Sequence, residues 1–217
     1  ATGRYGENLA AHLHQAGHRV SVVNPARIKN YARSKLLRNK TDPLDAALIA
    51  DFCRSQETYE WLPPTEVELT LKQLINRLNS LVTDQTREKN RLQAGELVEP
   101  VRASVEAHLK FLEEQIKLVS SQIQNHIDQH PDLKTKQALL ETIPGIGKKT
   151  SAILLAEMPD PKHLSSKQMA ALAGLTPEQL SSGKYCRKQD KLSKVGRVSL
   201  RTALYMPALS AMRYNPM

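Results

Sequence analysis

Two carboxylates lie three residues apart in a segment that predicts the start of a helix. Asp42 and Asp45 are separated by Pro43 and Leu44. Residues three apart share one helical face, so the carboxylate oxygens of this pair could hold a divalent metal ion between them. The same residues also suit helix capping, with Asp42 as the N-cap and Pro43 at the first helical position. The spacing alone favours capping, and two carboxylates are too few for a two-metal nuclease site.

The second candidate for chemistry is a serine that precedes a glycine in a basic segment. The hydroxyl of Ser182, next to Gly183, could attack a phosphodiester because nearby cations stabilise the attacking alkoxide. Serines are common in polar loops, however, and no histidine stands close in the sequence to act as a base. The residues alone therefore favour a structural serine and do not separate Ser182 from Ser181. The neighbouring cations are Lys184, Arg187 and Lys188.

A third segment is typical of a helix-hairpin-helix, since residues 143–150 read Ile-Pro-Gly-Ile-Gly-Lys-Lys-Thr. Gly145 and Gly147 allow a tight turn with exposed backbone N–H groups. A second helix begins there, so its positive dipole end faces the same anion as Lys148 and Lys149. Such a hairpin holds phosphates without reading bases. The alternative is a packing hairpin whose lysines are solvated.

The positive charge of the chain is concentrated in two segments. The net charge is +9, and residues 25–40 contain six bases and no acid, while residues 181–201 contain seven bases and one acid. We expect a phosphate backbone to lie along these segments, the alternative being a solvated basic face. The candidate ligands are Arg27, Lys35 and Arg38 in the first segment and Lys184, Arg187, Lys188 and Lys194 in the second.

The composition of the 217 residues excludes several classes of protein. An apolar content of 40% supports a folded core, and an aromatic content of 4% argues against proteins that stack single-stranded bases. Cys53 and Cys186 stand far apart without a CxxC pair, which excludes a zinc site built from cysteines. No apolar run is long enough to span a membrane, so we expect a cytoplasmic protein.

The hydrophobic pattern predicts a chain that is mainly α-helical. The heptad positions in the middle of the chain predict two long helices with a turn between Gly95 and Pro100, and either an antiparallel hairpin or an intermolecular coiled coil fits them. These positions are Leu71, Leu74, Leu78, Leu81, Gln85, Glu88 and Leu92, then Val105, Leu109, Leu112, Ile116, Val119, Ile123 and His126. The N-terminal part is predicted to contain a helix over 4–16, a strand over 18–24, a helix from 41–45 to about 55 and an extended linker over 61–64. From residue 131 onward the sequence predicts short helices with tight turns, with one such unit over 139–158, helices over 165–173 and 198–212, and a polar loop over 181–191.

Several stretches together resemble the DEDD transposases of bacterial insertion sequences, which are bridge-RNA-guided recombinases. The stretches follow the order of that family and cover nearly the whole chain. They are Ala1-Thr2-Gly3-x-Tyr5, Val22-Val23-Asn24-Pro25, Lys40-Thr41-Asp42-x-x-Asp45-Ala46, Ile143-Pro144-Gly145-Ile146-Gly147, Leu172-Ala173-Gly174-Leu175-x-Pro177, Ser182-Gly183-Lys184 and Leu192-Ser193-Lys194-x-Gly196-x-x-x-Leu200-Arg201-x-Ala203-Leu204-Tyr205.

The resemblance implies a fold in three parts. Residues 1–60 would be the remnant of a RuvC-like α/β catalytic domain, and residues 61–130 a linker with a coiled-coil hairpin. Residues 131–217 would be an α-helical transposase domain that contains the helix-hairpin-helix.

The resemblance also implies the chemistry. The family binds Mg²⁺ through the acids Asp-Glu-Asp-Asp, of which the last two correspond to Asp42 and Asp45, and this reverses the preference for capping. The catalytic serine of the family, which links covalently to DNA, corresponds to Ser182. The implied partners are double-stranded DNA, a guide RNA on the basic surfaces and further copies of the chain through the coiled coil, at the bacterial nucleoid and without a membrane.

The chain departs from the family pattern at its ends. The glutamate of the family directly precedes the Ala-Thr-Gly with which this sequence begins, and its first aspartate lies further upstream. We therefore expect a fragment with an incomplete sheet, and we expect the isolated chain not to recombine DNA. The alternatives are a non-enzymatic helix-hairpin-helix protein derived from a transposase, which binds DNA, and a coiled-coil scaffold whose basic charge is incidental.

Overall fold

A computed structural model describes residues 4–37, 41–158, 164–178, 181–182, 186–187 and 191–214. This part of the chain is mainly α-helical, as the sequence predicts. The chain divides into two compact units, residues 1–65 and residues 66–217. The division into three parts remains a prediction. No helix in the described ranges has the length and apolar character needed to cross a membrane.

The first unit contains three helices, α1 (Arg4–Gln15), α2 (Pro25–Ser34) and α3 (Asp42–Ser55). The chain leaves α1 through Gly17, whose φ of +81° is the left-handed conformation that glycine adopts at helix ends. The side chain of Asn24 caps α2 by accepting a hydrogen bond from the backbone N–H of Ala26 at 2.9 Å. The buried side chains of this unit are Ala10, Leu48 and Phe52.

The predicted strand over residues 18–24 is wrong, because this segment forms neither helix nor strand. Its β-branched residues favour extended backbone, but a strand also needs a neighbour that pairs with its N–H and C=O groups. The backbone N–H of Trp61 donates to the carbonyl of Val20 at 2.7 Å, and the hydroxyl of Ser21 donates to that of Thr58 at 3.1 Å. Within the described ranges, no strand lies beside the segment.

The second unit is built on two long helices, α4 (Glu66–Gln93) and α5 (Glu99–Gln129). Gln85 near the end of α4 lies 3.5 Å from Glu113 of α5, whereas Val67 at the start of α4 accepts a hydrogen bond from His126 near the end of α5, at 3.0 Å. The two helices therefore run antiparallel and pack on each other within one chain. Their buried side chains are Leu71, Ile75, Leu78 and Leu81 on α4 and Val105, Leu112, Val119, Ile123 and Ile127 on α5.

Two of these buried side chains, Ile75 and Ile127, lie outside the predicted heptad seam. The predicted seam follows two helices alone, but the core also includes Leu133, Ala152 and Ile153 of later helices. A third and a fourth helix widen the buried face beyond the strip that a two-helix heptad describes.

Substitution of Ile127 should have a large effect on stability, since its side chain is 0% exposed. Ile127→Ala should lower the free energy of unfolding by about 2–5 kcal/mol, because it removes buried methylene groups and leaves a cavity. Leu139→Ala, at a side chain that is 70% exposed, is the matched control and should change stability by less than about 0.5 kcal/mol. Chemical denaturation followed by circular dichroism measures both, and equal effects would contradict the packing described here.

Four more helices follow, α6 (Pro131–Glu141), α7 (Lys148–Glu157), α8 (Ser166–Leu172) and α9 (Val198–Tyr214). Helix α7 packs against α4, α5, α6 and α9. Helix α8 begins with a capping box, in which the Ser165 side chain accepts from Gln168 N–H and the Gln168 side chain accepts from Ser165 N–H. Helix α8 ends at Leu172 with Ala173 as its C-cap, close to the predicted end of the helix.

The predicted polar loop over residues 181–191 is partly wrong, because it contains strand. Strand β1 (Pro177–Glu178) pairs antiparallel with β4 (Lys191–Leu192), and β2 (Ser181–Ser182) pairs antiparallel with β3 (Cys186–Arg187). Polar residues without alternating hydrophobicity give no strand pattern in the sequence. Backbone pairing nevertheless forms these strands, since it depends little on side-chain type.

Candidate functional site

The acidic pair lies in the first turn of α3. The N-cap is Thr41, with extended backbone (φ −139°, ψ 155°), and Thr41 makes no side-chain capping bond. The backbone N–H of Asp45 donates to the Thr41 carbonyl at 2.9 Å. Asp42 as the N-cap is therefore wrong by one residue, and its carboxylate is not used for capping in that position.

Both carboxylates are available to an external cation. Asp42 is exposed and Asp45 is half-buried, and neither side chain pairs with another residue of the described chain. The positive end of the helix dipole favours negative charge at this end of α3. Carboxylate oxygens suit Mg²⁺, which keeps several waters and often takes one or two protein carboxylates. In the described ranges no group of three or more His, Cys, Asp or Glu side chains is placed to hold a metal ion, and the pair alone would be only part of a coordination shell.

A third carboxylate on α3, Asp51, ties this helix to α2. The Tyr31 hydroxyl donates to Asp51 Oδ2 at 2.8 Å, the Lys35 ammonium lies 3.0 Å from the same oxygen, and Arg54 lies 3.0 Å from Oδ1. The hydrogen bonds from Lys35, Tyr31 and Arg54 hold the pKa of Asp51 well below its usual range. The hydrogen bond between Lys35 and Asp51 in turn raises the pKa of Lys35. This contact fixes α3, and with it the acidic pair, against α2.

The predicted nucleic-acid ligands of the first unit differ in their surroundings. Lys35 forms an ion pair with Asp51 within the protein, so it is a weaker candidate for phosphate binding than its position in the basic segment suggests. Arg27 is exposed, with its guanidinium 5.5 Å from the centre of the Phe52 ring. Arg38 lies outside the described residues. Lys29 and Arg33 are also exposed on α2 and add charge to this surface.

The turn between α6 and α7 requires glycine at one position for two reasons. Gly145 has a φ of +92°, and a Cβ atom there would lie 2.8 Å from the carbonyl oxygen of Pro207 and 2.9 Å from the Cβ of Ser210, both on α9. One side of the turn is therefore pressed against α9. Gly147 is the N-cap of α7, and a Cβ built on it meets no atom within 4 Å. The N-terminus of α7 is thus open on the side of Gly147, where an anion could approach.

A buried polar network, which the sequence analysis missed, holds α7 against α6. The Ser151 side chain is fully buried, accepts a hydrogen bond from Gln137 at 3.2 Å and donates to Glu141 at 3.1 Å. Gln124 of α5 donates to Gln137 at 3.2 Å. The signal in the sequence was that the polar Gln137 lies four residues after the apolar Leu133, and therefore on the same helical face. The network fixes the angle between the two helices that flank the turn.

Lys148 and Lys149 stand at the edge of a cleft of about 300 Å³ between α4, α5 and α7. The charge of Lys148 helps lower the pKa of Asp128, after the larger effects of hydrogen bonds from Gln124 and Lys134. Lys148 and Lys149 are both exposed, so both remain candidate phosphate ligands. The other residues of the cleft are Ile75, Leu78, Ile116, Ser120, Ile123, Gln124 and Ala152.

Ser182 lies on a β-arm, which we define by its four described strands, β1 to β4. Pro177 pairs with Leu192 at the base of the arm, and Ser182 pairs with Cys186 in the second pair of strands. For Ser182 and Arg187 the structure describes the backbone alone. Lys184 and Lys188 lie outside the described residues.

At the base of the β-arm, the segment that contains Gly174 lies very close to the segment that contains Gly196. A Cβ atom on Gly196 would lie 2.4 Å from the backbone nitrogen of Gly174, so only glycine fits at 196. The N–H of Arg197 donates to the carbonyl of Leu172 at 2.7 Å, and the N–H of Lys194 donates to the carbonyl of Gly174 at 3.3 Å. Lys194 itself is exposed, so its ammonium remains a candidate phosphate ligand.

Two arginines of the second basic segment serve the fold. Arg197 donates to the carbonyl of Glu157 and lies 3.4 Å from its carboxylate, while Arg201 donates to the carbonyl of Ala173 at 3.1 Å. The charge count of the segment thus overstates the charge that it offers to a polyanion.

Comparison with known proteins identifies a family for both parts of the chain that carry candidate residues. Residues 1–95, with the acidic pair, match the model of DEDD transposases of the IS110 type. Residues 137–217, with the turn and the β-arm, match the model described as transposase IS116/IS110/IS902 family.

Individual relatives agree with these matches. The pilin gene-inverting proteins of Moraxella bovis and Moraxella lacunata are each 35% identical over 210 residues, which cover 96% of this chain. The transposase for insertion sequence element IS1328 of Yersinia enterocolitica is 28% identical in an alignment of 204 residues, and this match covers 81% of this chain. The chain spans 65% of the length of the Moraxella proteins and 59% of the Yersinia protein. The resemblance expected from the sequence is confirmed, and the chain belongs to the IS116/IS110/IS902 family of transposases.

Proposed function

We propose that this chain is part of a DNA recombinase that excises and inserts an insertion sequence by strand exchange. Asp42 and Asp45 contribute to its metal-dependent acidic site, and Ser182 is its nucleophile. The observation that carries the proposal is the acidic pair, which lies in a family-matched segment and has no partner among the described residues. Relatives of the chain are named for inverting a pilin gene and for transposing an insertion sequence.

The proposed reaction exchanges one phosphodiester for another. The Ser182 oxygen forms a bond to phosphorus, the bond from phosphorus to one deoxyribose oxygen breaks, and the serine proton ends on the released hydroxyl. A hydroxyl of a second strand then attacks the phosphoserine linkage, so the serine regains a proton. No external energy source is needed, because each step replaces one phosphate ester bond with another.

The family implies a divalent metal ion, typically Mg²⁺. Asp42 and Asp45 would hold it together with acids from outside this chain, since two carboxylates are too few to organise the site. A bound metal ion would stabilise the charge that develops on the phosphate. The two residues themselves place negative oxygens on one face of α3, whose direction the Tyr31–Asp51 contact fixes.

Duplex DNA would contact the second unit at the open N-terminus of α7, where Gly147 and Lys149 offer backbone N–H groups and a cation. The exposed Lys194 extends this surface, and Lys184, Arg187 and Lys188 are further proposed phosphate ligands. A guide RNA would lie on exposed basic side chains such as Arg27. Further copies of the chain would join through α4 and α5, and the protein would be located at the bacterial nucleoid.

The experiment is a strand-exchange assay with the complete protein that contains this chain, its DNA and its guide RNA. We expect recombined product with Mg²⁺ and none after chelation by EDTA. Product that forms equally well with EDTA would contradict the acidic site. A complete protein that binds DNA and never joins strands would instead support the non-enzymatic DNA-binding alternative.

Lys149→Ala tests the phosphate surface. It should weaken duplex binding to the same extent for all sequences and reduce the slope of log K against log salt by about one, since one phosphate contact is lost. Lys110→Ala, at an exposed lysine of α5, is the matched control and should leave the slope unchanged. Titrations at several salt concentrations measure both slopes. An unchanged slope for Lys149→Ala would show that this lysine is merely solvated.

A further inference from the structure

We infer that Arg201 is a positioning residue for the serine nucleophile, because it fastens both ends of the β-arm that carries Ser182. The inference rests on the proposed function of Ser182. It assigns to an arginine in a basic segment a role in the rate of strand exchange and no role in DNA affinity.

The hydrogen bonds of Arg201 connect the two sides of the β-arm. Its Nη1 lies 3.1 Å from the carbonyl oxygen of Ala173, which precedes β1, and 3.4 Å from that of Lys194, which follows β4. One guanidinium therefore bridges the segment that enters the arm and the segment that leaves it. Helix α9 presents this guanidinium and is itself packed on α7, so the arm is fastened to the helical core.

The neighbouring glycines make room for the guanidinium. A Cβ atom on Gly174 would lie 2.6 Å from Nη1 of Arg201 and 3.1 Å from the backbone carbonyl carbon of Lys194, so the guanidinium lies directly against this glycine. Gly174 also has a φ of +69°, which turns the chain from α8 into the arm. The backbone conformation therefore favours glycine here, and the absence of a side chain leaves room for the guanidinium.

Arg197 adds a second attachment one helical turn earlier. Its side chain donates to the Glu157 carbonyl, and the Glu157 carboxylate is 11% exposed and lies 3.4 Å away. Glu157 ends α7, the helix that begins at the turn containing Gly145 and Gly147. The arm base and that turn are therefore connected through α7, about ten residues or 15 Å of rigid helix.

The arm needs this support because its strands are short. Each strand has two residues, and a small isolated hairpin is marginally stable in water. A nucleophile on such an arm reacts quickly only if the arm base is held, since a displacement of about 1 Å can slow a reaction about 100-fold. The Nη1 group of Arg201 already donates to two carbonyl oxygens, so we expect that the loss of this side chain removes no phosphate contact.

The test compares Arg201→Ala with wild type in the complete protein, with its DNA and guide RNA. We expect the single-turnover rate of strand exchange at saturating DNA to fall about 10- to 100-fold. The DNA dissociation constant and its salt slope should stay the same. Arg201→Lys should restore part of the rate, because an ammonium reaches one carbonyl, and added guanidinium ion should partly rescue Arg201→Ala. Arg213→Ala, which removes an exposed charge from the same helix, is the control and should behave as wild type.

Other outcomes overturn the inference. A lower salt slope for Arg201→Ala would make the residue a phosphate ligand, and a wild-type rate would remove any role. Should Arg201→Ala fail to fold, Arg201→Gln decides, since its shorter neutral side chain cannot bridge both carbonyls, and a wild-type rate for that variant contradicts positioning. Ser182→Ala is run in parallel. If it still exchanges strands, the proposed function has failed; if it is inactive and Arg201→Ala is fully active, only this inference has failed.

Discussion

Ser182→Ala in the complete protein should reduce strand exchange at least about 1,000-fold, because it removes the proposed covalent nucleophile and with it the step that breaks the DNA strand. Duplex binding should change little. The contacts proposed for DNA, at Gly147, Lys149 and Lys194, do not involve this hydroxyl. Recombination products quantified on gels, together with binding titrations of the same protein, measure the two effects separately.

Ser181→Ala is the matched control for that experiment. Ser181 precedes Ser182 on the same strand, and the backbone pairing of β2 with β3 does not depend on either hydroxyl. We expect Ser181→Ala to keep strand exchange within about tenfold of wild type, since only positioning is disturbed. The opposite pattern, with Ser181→Ala inactive and Ser182→Ala active, would move the nucleophile to the neighbouring residue.

Asp42→Asn and Asp45→Asn should each lower strand exchange about 100- to 1,000-fold, a loss typical of removing one group that stabilises transition-state charge. An amide keeps the shape of the side chain but removes the negative charge that a divalent cation needs. Stability should fall by no more than about 1 kcal/mol, the effect of losing a favourable charge at a helix N-terminus. Activity assays over a range of Mg²⁺ concentrations and thermal unfolding of each variant measure these effects.

Glu57→Gln serves as the control, since it removes an exposed carboxylate from the segment that follows α3. It should leave both activity and stability near wild type. If Asp42→Asn and Asp45→Asn were as active as this control, the acidic pair would have no catalytic role. The pair would then contribute only to the start of α3.

Periodic hydrophobic patterns made the helical fold predictable. The heptads of α4 and α5 locate both helices, because a buried face on a long helix repeats over many turns. The segment over 18–24 was not predictable in the same way, since a strand depends on a partner that the local sequence does not contain. The β-arm was missed for the converse reason, as backbone pairing joins polar residues without any alternation.

The candidate site was predictable to the extent that it depends on local residue types. The glycine of the turn at Gly145 and the acids of α3 are recognisable from short patterns. The surroundings of the cations were not, because a sequence does not show whether a guanidinium meets water or a carbonyl. Lys35, Arg197 and Arg201 look equivalent to other bases in the sequence, and the structure shows each with an internal partner. Distant contacts of this kind arise only from folding.

The most direct test of the account is to trap the covalent intermediate and locate it. The complete protein is incubated with DNA, guide RNA and Mg²⁺, denatured during the reaction and digested, and the peptide that carries a nucleotide is identified by mass spectrometry. We predict a phosphodiester bond between the nucleotide and the side-chain oxygen of Ser182. This bond should not form when EDTA replaces Mg²⁺. A bond at another residue, or strand cleavage that leaves no nucleotide on the protein, would contradict this prediction.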